Sequence, residues 1–237
     1  MNATPTAAAG PYLGIGLYSI ADAARIIGVT PTTLRAWLVS SVSAVHGEAN
    51  ARRPAVTRHS DDADGVLSFV ELVELLVVKN FRQAGVKMPV IREVAERASA
   101  RFGTPHPFTS RHFAADGAAV FDALATCADQ KADRDDMLRG RRAFEQTVRP
   151  FSAQFDYAED GRAARFWPRQ HDGRVVLDPR RAFGQPIDAE TGVPTAVLYD
   201  AVSANPEDDA ETIARWFAVP VAAVDAAVAY ERSLRAG

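Results

Sequence analysis

The sequence predicts a mainly helical α+β protein in which short β-hairpins interrupt the helices. Apolar residues recur at helical spacing near both ends of the chain, whereas paired Asp-Gly turn residues mark its middle. The 237 residues are 47% hydrophobic, which excludes a wholly disordered chain, and their number suits one large or two modest domains. We expect a disordered tail over 1–16, followed by folded segments over 17–104, 105–174 and 175–237.

Two short helices separated by a tight turn follow the predicted tail. Ser19 with Asp22 three residues later is typical of a helix start, and Gly28 is placed to end that helix in a left-handed turn. Thr30 then caps a second helix, in which Pro31 occupies the first turn. Two helices joined in this way form a helix-turn-helix.

The second helix presents two different faces. Leu34 and Trp37 lie on its apolar face, so we expect Trp37 to be a core residue rather than a surface contact. Thr32, Thr33 and Arg35 point away from that face and are therefore candidates for contacts outside the domain.

A polar segment over residues 40–66 separates this helix pair from the next helix. Few aliphatic residues interrupt it, and a hairpin or an extended loop fits the pattern. It also carries three basic residues, Arg52, Arg53 and Arg58.

A strongly apolar helix begins after Ser68, which forms a capping box with Glu71. Its apolar residues cover more than one side over 69–83, which is typical of a helix buried in a core or in a dimer interface. We take this helix as the candidate interface of a homodimer. The next helix is predicted from Pro89 to Gly103.

The middle of the chain is expected to form a β-rich connector. Asp116-Gly117 and Asp160-Gly161 are typical hairpin turn pairs, while a charged stretch before Pro150 favours a helix. The predicted elements are a two-stranded hairpin over 111–124, a helix over 134–149, a hairpin over 151–167 and a strand over 175–177.

The C-terminal segment is predicted to be trihelical. Turn-rich residues over 178–206 lead into helices at about 195–203, 208–217 and 220–235. Pro220 suits the first turn of the last helix.

Charge varies along the chain although the net charge is only −3. Residues 1–110 carry 11 basic and 9 acidic side chains, and residues 111–177 carry 11 of each. Residues 178–237 carry 5 basic and 10 acidic side chains, so the front is mildly basic and the back is acidic. Opposite ends of such a chain favour opposite partners.

Several classes of function lack their sequence signals. The five histidines show no metal-binding spacing, the single cysteine excludes an internal disulfide, and no nucleophile or nucleotide-binding motif is present. We therefore expect no enzyme activity, no catalytic residues, no metal and no cofactor. Neither a secretory signal nor a membrane-spanning run is found, which favours a cytoplasmic protein that does not contact membranes.

Two parts of the chain resemble known families. Residues 17–102, with Tyr18-Ser19-Ile20, Thr33-Leu34-Arg35 and the helix from Phe69, resemble a MerR-type winged helix-turn-helix. Residues 175–232, with Phe183-Gly184-Gln185-Pro186 and Thr191-Gly192-Val193-Pro194, resemble the small homeodomain-like domain of VapB-like antitoxins. The whole chain resembles a two-domain antitoxin of a toxin–antitoxin module.

This resemblance implies two binding activities. Such an antitoxin neutralises a PIN-domain (VapC-like) ribonuclease toxin and binds its own operator DNA to repress its operon. The second helix would then enter the major groove with Thr32, Thr33 and Arg35 at base edges, while the hairpin arginines track phosphates. The hairpin arginines are Arg52, Arg53 and Arg58.

The resemblance also implies a way to silence the toxin. An arginine inserted among the metal-binding carboxylates of a PIN domain pairs with them in a bidentate manner. The candidates are Arg139, Arg141, Arg142, Arg149, Arg232 and Arg235. The alternative is a stand-alone MerR-like transcription regulator that responds to a small ligand through the central hairpins. Cysteines for a metal sensor are missing, so we expect DNA binding without a metal effector.

Overall fold

The computed structural model describes residues 15–38, 42–45, 48–51, 65–128, 130–169 and 173–235, with the backbone alone for 42–45 and 48–51. The helices are α1 (Ile20–Ile27), α2 (Pro31–Leu38), α3 (Phe69–Gln83), α4 (Met88–Phe102), α5 (Arg111–Cys127), α6 (Lys131–Ala143), α7 (Arg149–Ser152), α8 (Thr195–Ala204), α9 (Ala210–Phe217) and α10 (Val221–Arg235). Nearly all of the predicted tail and the arginines at 52, 53 and 58 lie outside the described residues.

The strands are short, and the prediction of a mainly helical α+β fold is confirmed. They are β1 (Tyr18–Ser19), β2 (Val42–Val45), β3 (Glu48–Ala51), β4 (Val66–Leu67), β5 (Phe155–Tyr157), β6 (Ala163–Phe166), β7 (Val175–Leu177) and β8 (Pro186–Asp188). Strand β1 pairs with β4, β2 pairs with β3, and β5-β6-β7-β8 form an antiparallel sheet in that order. Strand β8 is absent from the sequence-based prediction.

Helix α3 forms the centre of the larger core. The capping box at Ser68 is present in full, with Glu71 bonded back to the Ser68 N–H at 2.7 Å. Side chains all around the helix are buried within the chain, from Phe69 to Phe81. The prediction that this helix is a dimer interface is therefore wrong, because its apolar surface is already covered by the protein's own residues.

The predicted hairpin over 111–124 is also wrong, because this segment lies in the 17-residue helix α5. Ser110 caps the helix by accepting a hydrogen bond from the Phe113 N–H. Its buried side chains Phe113, Val120 and Phe121 follow a helical period, and Gly117 is a helical residue against which the Phe144 ring packs. The Asp-Gly pair is a turn signal that close helix packing overrides.

The remaining connector prediction holds in part. The helix predicted over 134–149 begins earlier, at Lys131, and continues through a π-helical turn at Phe144–Val148 into α7. The hairpin around Asp160-Gly161 is confirmed as β5 and β6, as is strand β7. The three predicted C-terminal helices are confirmed as α8, α9 and α10.

Within the described residues, the buried apolar side chains form two clusters. The larger one extends from Tyr18 to Leu177 and thus crosses the predicted boundary at residue 104. The smaller one lies among α8, α9 and α10, from Leu198 to Ala227. The division into segments stays a prediction, but the connector shares its core with the helix-turn-helix.

A buried acid–imidazole pair lies inside the larger core. Glu74 of α3 and His106 are both almost fully buried, and Oε2 of Glu74 lies 3.0 Å from Nδ1 of His106. Burial raises the pKa of Glu74 to about 7, although the hydrogen bond and charge of His106 oppose that rise. The sequence pattern does not show this contact, because it joins residues 32 positions apart.

We predict that Gly140→Ala destabilises the protein although alanine favours helices. A Cβ at residue 140 would lie 2.5 Å from Cε1 of Phe121, so the α5–α6 contact must open. Overpacking of this kind costs about 1–3 kcal/mol in the free energy of unfolding. Urea denaturation measures it, with Asp116→Ala on the exposed face of α5 as the control. Equal stability of wild type and Gly140→Ala would contradict the tight packing.

We also predict an unusual pH dependence of stability from Glu74. The pKa of Glu74 is about 7 in the folded chain and 4.5 ordinarily, so protonated Glu74 stabilises the folded chain. This stabilisation is full below pH 4.5 and is lost as the pH rises through 7. The free energy of unfolding of wild type should fall relative to that of Glu74→Gln by up to about 3 kcal/mol over this window. Exposed Glu159→Gln is the control. Parallel pH profiles for wild type and Glu74→Gln would refute the assignment.

Candidate nucleic-acid interface

The helix pair α1–α2 is held by local hydrogen bonds that the sequence predicts. The Asp22 N–H donates to Oγ of Ser19, and Gly28 adopts φ 73° and ψ 48°, in which its N–H returns to the Ala24 carbonyl. The Thr33 N–H then donates to Oγ1 of Thr30 at 3.1 Å. These caps stop one helix and start the next within three residues, which is the geometry of a helix-turn-helix.

Helix α2 buries one face and exposes the other. Leu34 and Trp37 are buried, which confirms that Trp37 belongs to the core. Thr32 and Arg35 are exposed, and among the described residues Arg35 has no hydrogen bond or ion pair. Thr33 is half-buried, and its hydroxyl lies 2.9 Å from that of Thr30. Thr32 and Arg35 are thus free for an external partner, whereas Thr33 is partly occupied.

A two-stranded hairpin follows α2 directly. Strands β2 and β3 are antiparallel, with Val42 opposite Ala51 and Val45 opposite Glu48. The backbone therefore confirms a hairpin at the position expected for a wing.

A lysine that the sequence analysis does not single out lies beside the turn. A Cβ at Gly28 would be 3.2 Å from Nζ of Lys79, so this ammonium group is close to the α1–α2 turn. Partial burial lowers the pKa of Lys79. The sequence does not reveal this contact, because Lys79 lies in an apolar helix and only the packing of α3 on α1 brings its ammonium group to the turn.

The helix pair is anchored to the C-terminal part of the chain. Tyr18 of β1 donates a hydrogen bond to the Gly184 carbonyl at 2.6 Å, and the Leu17 N–H donates to the Phe183 carbonyl at 2.9 Å. Nη1 of Arg25 on α1 lies 3.8 Å from the buried Glu231 carboxylate of α10. Burial strongly raises the pKa of the Tyr18 hydroxyl, which keeps it protonated as a donor.

Three of the six predicted toxin-binding arginines are engaged inside the chain. Arg141 pairs with Asp122 at 2.8 Å. Arg149 pairs with Glu145, and it also donates to the carbonyls of residues 114 and 115. Arg235 pairs with Glu231 and stacks over the Tyr199 ring at 3.9 Å. Each of these arginines supports the packing of its own helix.

The other three arginines are available for a partner. Arg139 and Arg142 on α6 and Arg232 on α10 are exposed. Within the described part of the chain none of them has a polar partner. The lack of a described intrachain partner distinguishes them from the three engaged arginines, a difference that the sequence alone does not show.

Two further properties bear on the class of protein. Among the described residues, no group of three or more His, Cys, Asp or Glu side chains is arranged to hold a metal ion. No single described helix is long and apolar enough to cross a membrane. Helices α9 and α10 meet that criterion only when taken together, and the chain bends by 106° between them.

Comparison with known proteins agrees with this geometry. A family model described as "Putative DNA-binding HTH domain" matches residues 16–94. The chain is 31% identical over 198 residues to "Putative antitoxin VapB45" of Mycobacterium tuberculosis (strain ATCC 25618 / H37Rv), a match that spans 77% of this chain and 80% of the relative.

A solved structure shows a similar fold. The X-ray crystal structure of Rv2018 from Mycobacterium tuberculosis matches with a TM-score of 0.68 and 25% identity, over 91% of this chain and 98% of that one. The sequence match, which covers more than two thirds of the relative, assigns the family. The chain belongs to the VapB antitoxins of toxin–antitoxin systems, and its N-terminal part is a helix-turn-helix DNA-binding domain.

Proposed function

We propose that this antitoxin acts in the cytoplasm as a neutraliser and as an autorepressor. It binds a PIN-domain ribonuclease toxin and silences it, and it binds the operator of its own operon as a homodimer. The observation that carries the proposal is the exposed face of α2, on which Thr32 and Arg35 are free while Leu34 and Trp37 hold the helix in place.

The DNA-binding part follows from the shape and charge of this face. A helix-turn-helix places the N-terminal residues of its second helix at base edges in the major groove. Arg35 contacts a guanine edge or a phosphate there, and Thr32 and Thr33 contact neighbouring positions. Three further arginines that follow β3 in the sequence bind phosphates, namely Arg52, Arg53 and Arg58.

The homodimer in this proposal comes from the symmetry of operators. A two-fold operator is read by a two-fold protein, so two copies of α2 must enter successive major grooves. Helix α3 is buried in its own chain and does not mediate this contact.

The toxin-binding part uses the arginines that the fold leaves free. A guanidinium group forms bidentate hydrogen bonds with carboxylates, which are the metal ligands of a PIN domain. Arg139, Arg142 and Arg232 are exposed and have no described intrachain partner, so they can insert without breaking the fold. The alternative function is a regulator that senses a ligand through the central hairpins. It is less well supported, because residues 111–124, which would form one of those hairpins, lie in helix α5.

We predict that Arg35→Ala weakens operator binding by about 1–3 kcal/mol and leaves the free energy of unfolding unchanged, since Arg35 is exposed. A fluorescence-anisotropy titration with operator DNA at fixed salt measures the effect. Arg139→Ala, which removes an exposed arginine from another surface, is the control. Wild-type affinity in Arg35→Ala would show that α2 does not read the operator.

We predict that the chain co-purifies with the toxin encoded beside it and restores the growth of cells that express this toxin. At least one of Arg139→Ala, Arg142→Ala and Arg232→Ala should lose rescue without a change in melting temperature, because each removes a free guanidinium group. Arg35→Ala, which affects DNA binding, is the matched control. If wild type neither retains the toxin nor restores growth, the antitoxin proposal fails.

A further inference from the structure

A polar groove lies where the start of α5 meets the β5–β6 hairpin. Its volume is about 530 Å³, which is in the range of small-molecule sites. The charged side chains in its lining are Arg111, Asp156, Arg165, Asp178 and Arg180. The contacts proposed above with operator DNA and with the toxin use none of these five residues.

The three arginines reach the groove from three separate elements. Arg111 is the first residue of α5, Arg165 lies on β6, and Arg180 lies in the turn after β7. The Arg111 N–H donates to the Gly161 carbonyl at 2.8 Å, which fixes the start of the helix on the hairpin. All three arginines are exposed, so a molecule in the groove can reach each of them.

The guanidinium groups of these arginines are largely unused within the chain. Among the described residues, the side chains of Arg111 and Arg180 form no hydrogen bond and no ion pair. Arg165 lies 3.7 Å from Asp156 and 3.5 Å from Asp178, distances that are too long for good hydrogen bonds. Since each guanidinium carries five N–H donors in a rigid fork, the groove holds many more donors than its two carboxylates can accept.

The two carboxylates of the groove are already bonded to other groups. Asp178 is buried, and its Oδ1 accepts the Arg180 N–H at 2.9 Å. Oδ2 of Asp156 accepts the indole N–H of Trp167 at 3.0 Å. Three cations against two anions leave one net positive charge in the lining. This surplus suits one anionic group, whereas the carboxylates repel the successive phosphates of a nucleic acid strand.

Aromatic side chains hold one of the free guanidinium groups in place. The guanidinium of Arg111 lies over the Tyr157 ring, 5.4 Å from its centre. Burial raises the pKa of Tyr157, so its hydroxyl stays neutral and adds no negative charge to the groove. Because a stacked guanidinium has already lost part of its freedom, its hydrogen bonds to a ligand cost less entropy.

We propose that this groove binds a small phosphate monoester whose organic part carries hydroxyl groups. A phosphate monoester has three terminal oxygens, one for each arginine that reaches the groove, and guanidinium groups bind such oxygens in a bidentate manner. A hydroxyl group of the organic part donates to Asp156, whose side chain is 35% exposed. The phosphate thereby supplies the acceptors and the negative charge that the lining lacks.

Calorimetric titration of the full chain with ribose 5-phosphate, in a buffer without phosphate, tests this site. Wild type should bind one molecule per chain. Arg111→Gln and Arg180→Gln should each lower the affinity by about tenfold or more, because each removes a charge-assisted contact. Arg162→Gln is the matched control, since Arg162 lies on the same hairpin, pairs with Asp160 at 3.4 Å and is outside the lining. Its affinity should stay within about twofold of wild type.

Two simpler probes separate the phosphate from the organic part. Inorganic phosphate should bind at least about tenfold more weakly than ribose 5-phosphate, because it lacks the hydroxyl groups that face Asp156. Ribose alone should not bind, because it brings no charge. Equal affinity for inorganic phosphate and ribose 5-phosphate would overturn the proposal, as would an equal loss of affinity in Arg162→Gln.

Nuclear magnetic resonance gives a readout that does not depend on folding of the variants. The Nε–H signals of Arg111, Arg165 and Arg180 should shift when ribose 5-phosphate is added to wild type, and substitution of each arginine assigns its signal. Unshifted signals at saturation, or displacement of ribose 5-phosphate by a DNA duplex without operator sequence, would overturn the proposal. No toxin or operator enters these titrations, so their failure would leave the antitoxin function proposed above untouched.

Discussion

The buried carboxylate of Glu231 is the interaction on which the arrangement of the two ends depends. It is only 1% exposed, and it accepts hydrogen bonds from the Thr195 hydroxyl at 2.6 Å and from Arg235 at 3.1 Å, with Arg25 at 3.8 Å. A buried charge without partners is strongly destabilising, so α1, α8 and α10 must remain together to satisfy this one. The DNA-binding helix pair is thereby held against helix α10.

The helix pairs α1–α2 and α9–α10 share a backbone geometry, with a left-handed residue after the first helix of each, but differ in surface charge. Capping bonds and one left-handed residue determine the shape of each helix pair, and those features depend only on residues close in sequence. The exposed residues of the second helix are free of this constraint. Arg35 on α2 and Asp225 on α10 therefore favour different partners, although the two helix pairs have the same backbone geometry.

Local sequence signals predict much of the fold, whereas features that depend on contacts between distant residues could not be predicted from them. The caps at Ser19 and Ser68 and the turn at Gly28 follow from residues within four positions, and all are present. The sequence did not predict helix α5, because Asp116-Gly117 is typical of a turn. Only the packing of the Phe144 ring against Gly117 explains a glycine inside this helix. For the candidate site, the exposed face of α2 was predictable, but the engagement of Arg149 depends on carbonyls about 35 residues away.

A strained loop shows how strongly the two ends hold each other. Ala182 and Phe183 have φ values of 45° and 54°, a conformation that costs a residue with a side chain about 1–2 kcal/mol. Such strain persists only where surrounding contacts impose it. Here the Leu17 N–H and the Tyr18 hydroxyl bind consecutive carbonyls of this loop, and a Cβ at Gly184 would lie 2.5 Å from the Tyr18 oxygen. The loop conformation and the position of β1 therefore depend on each other.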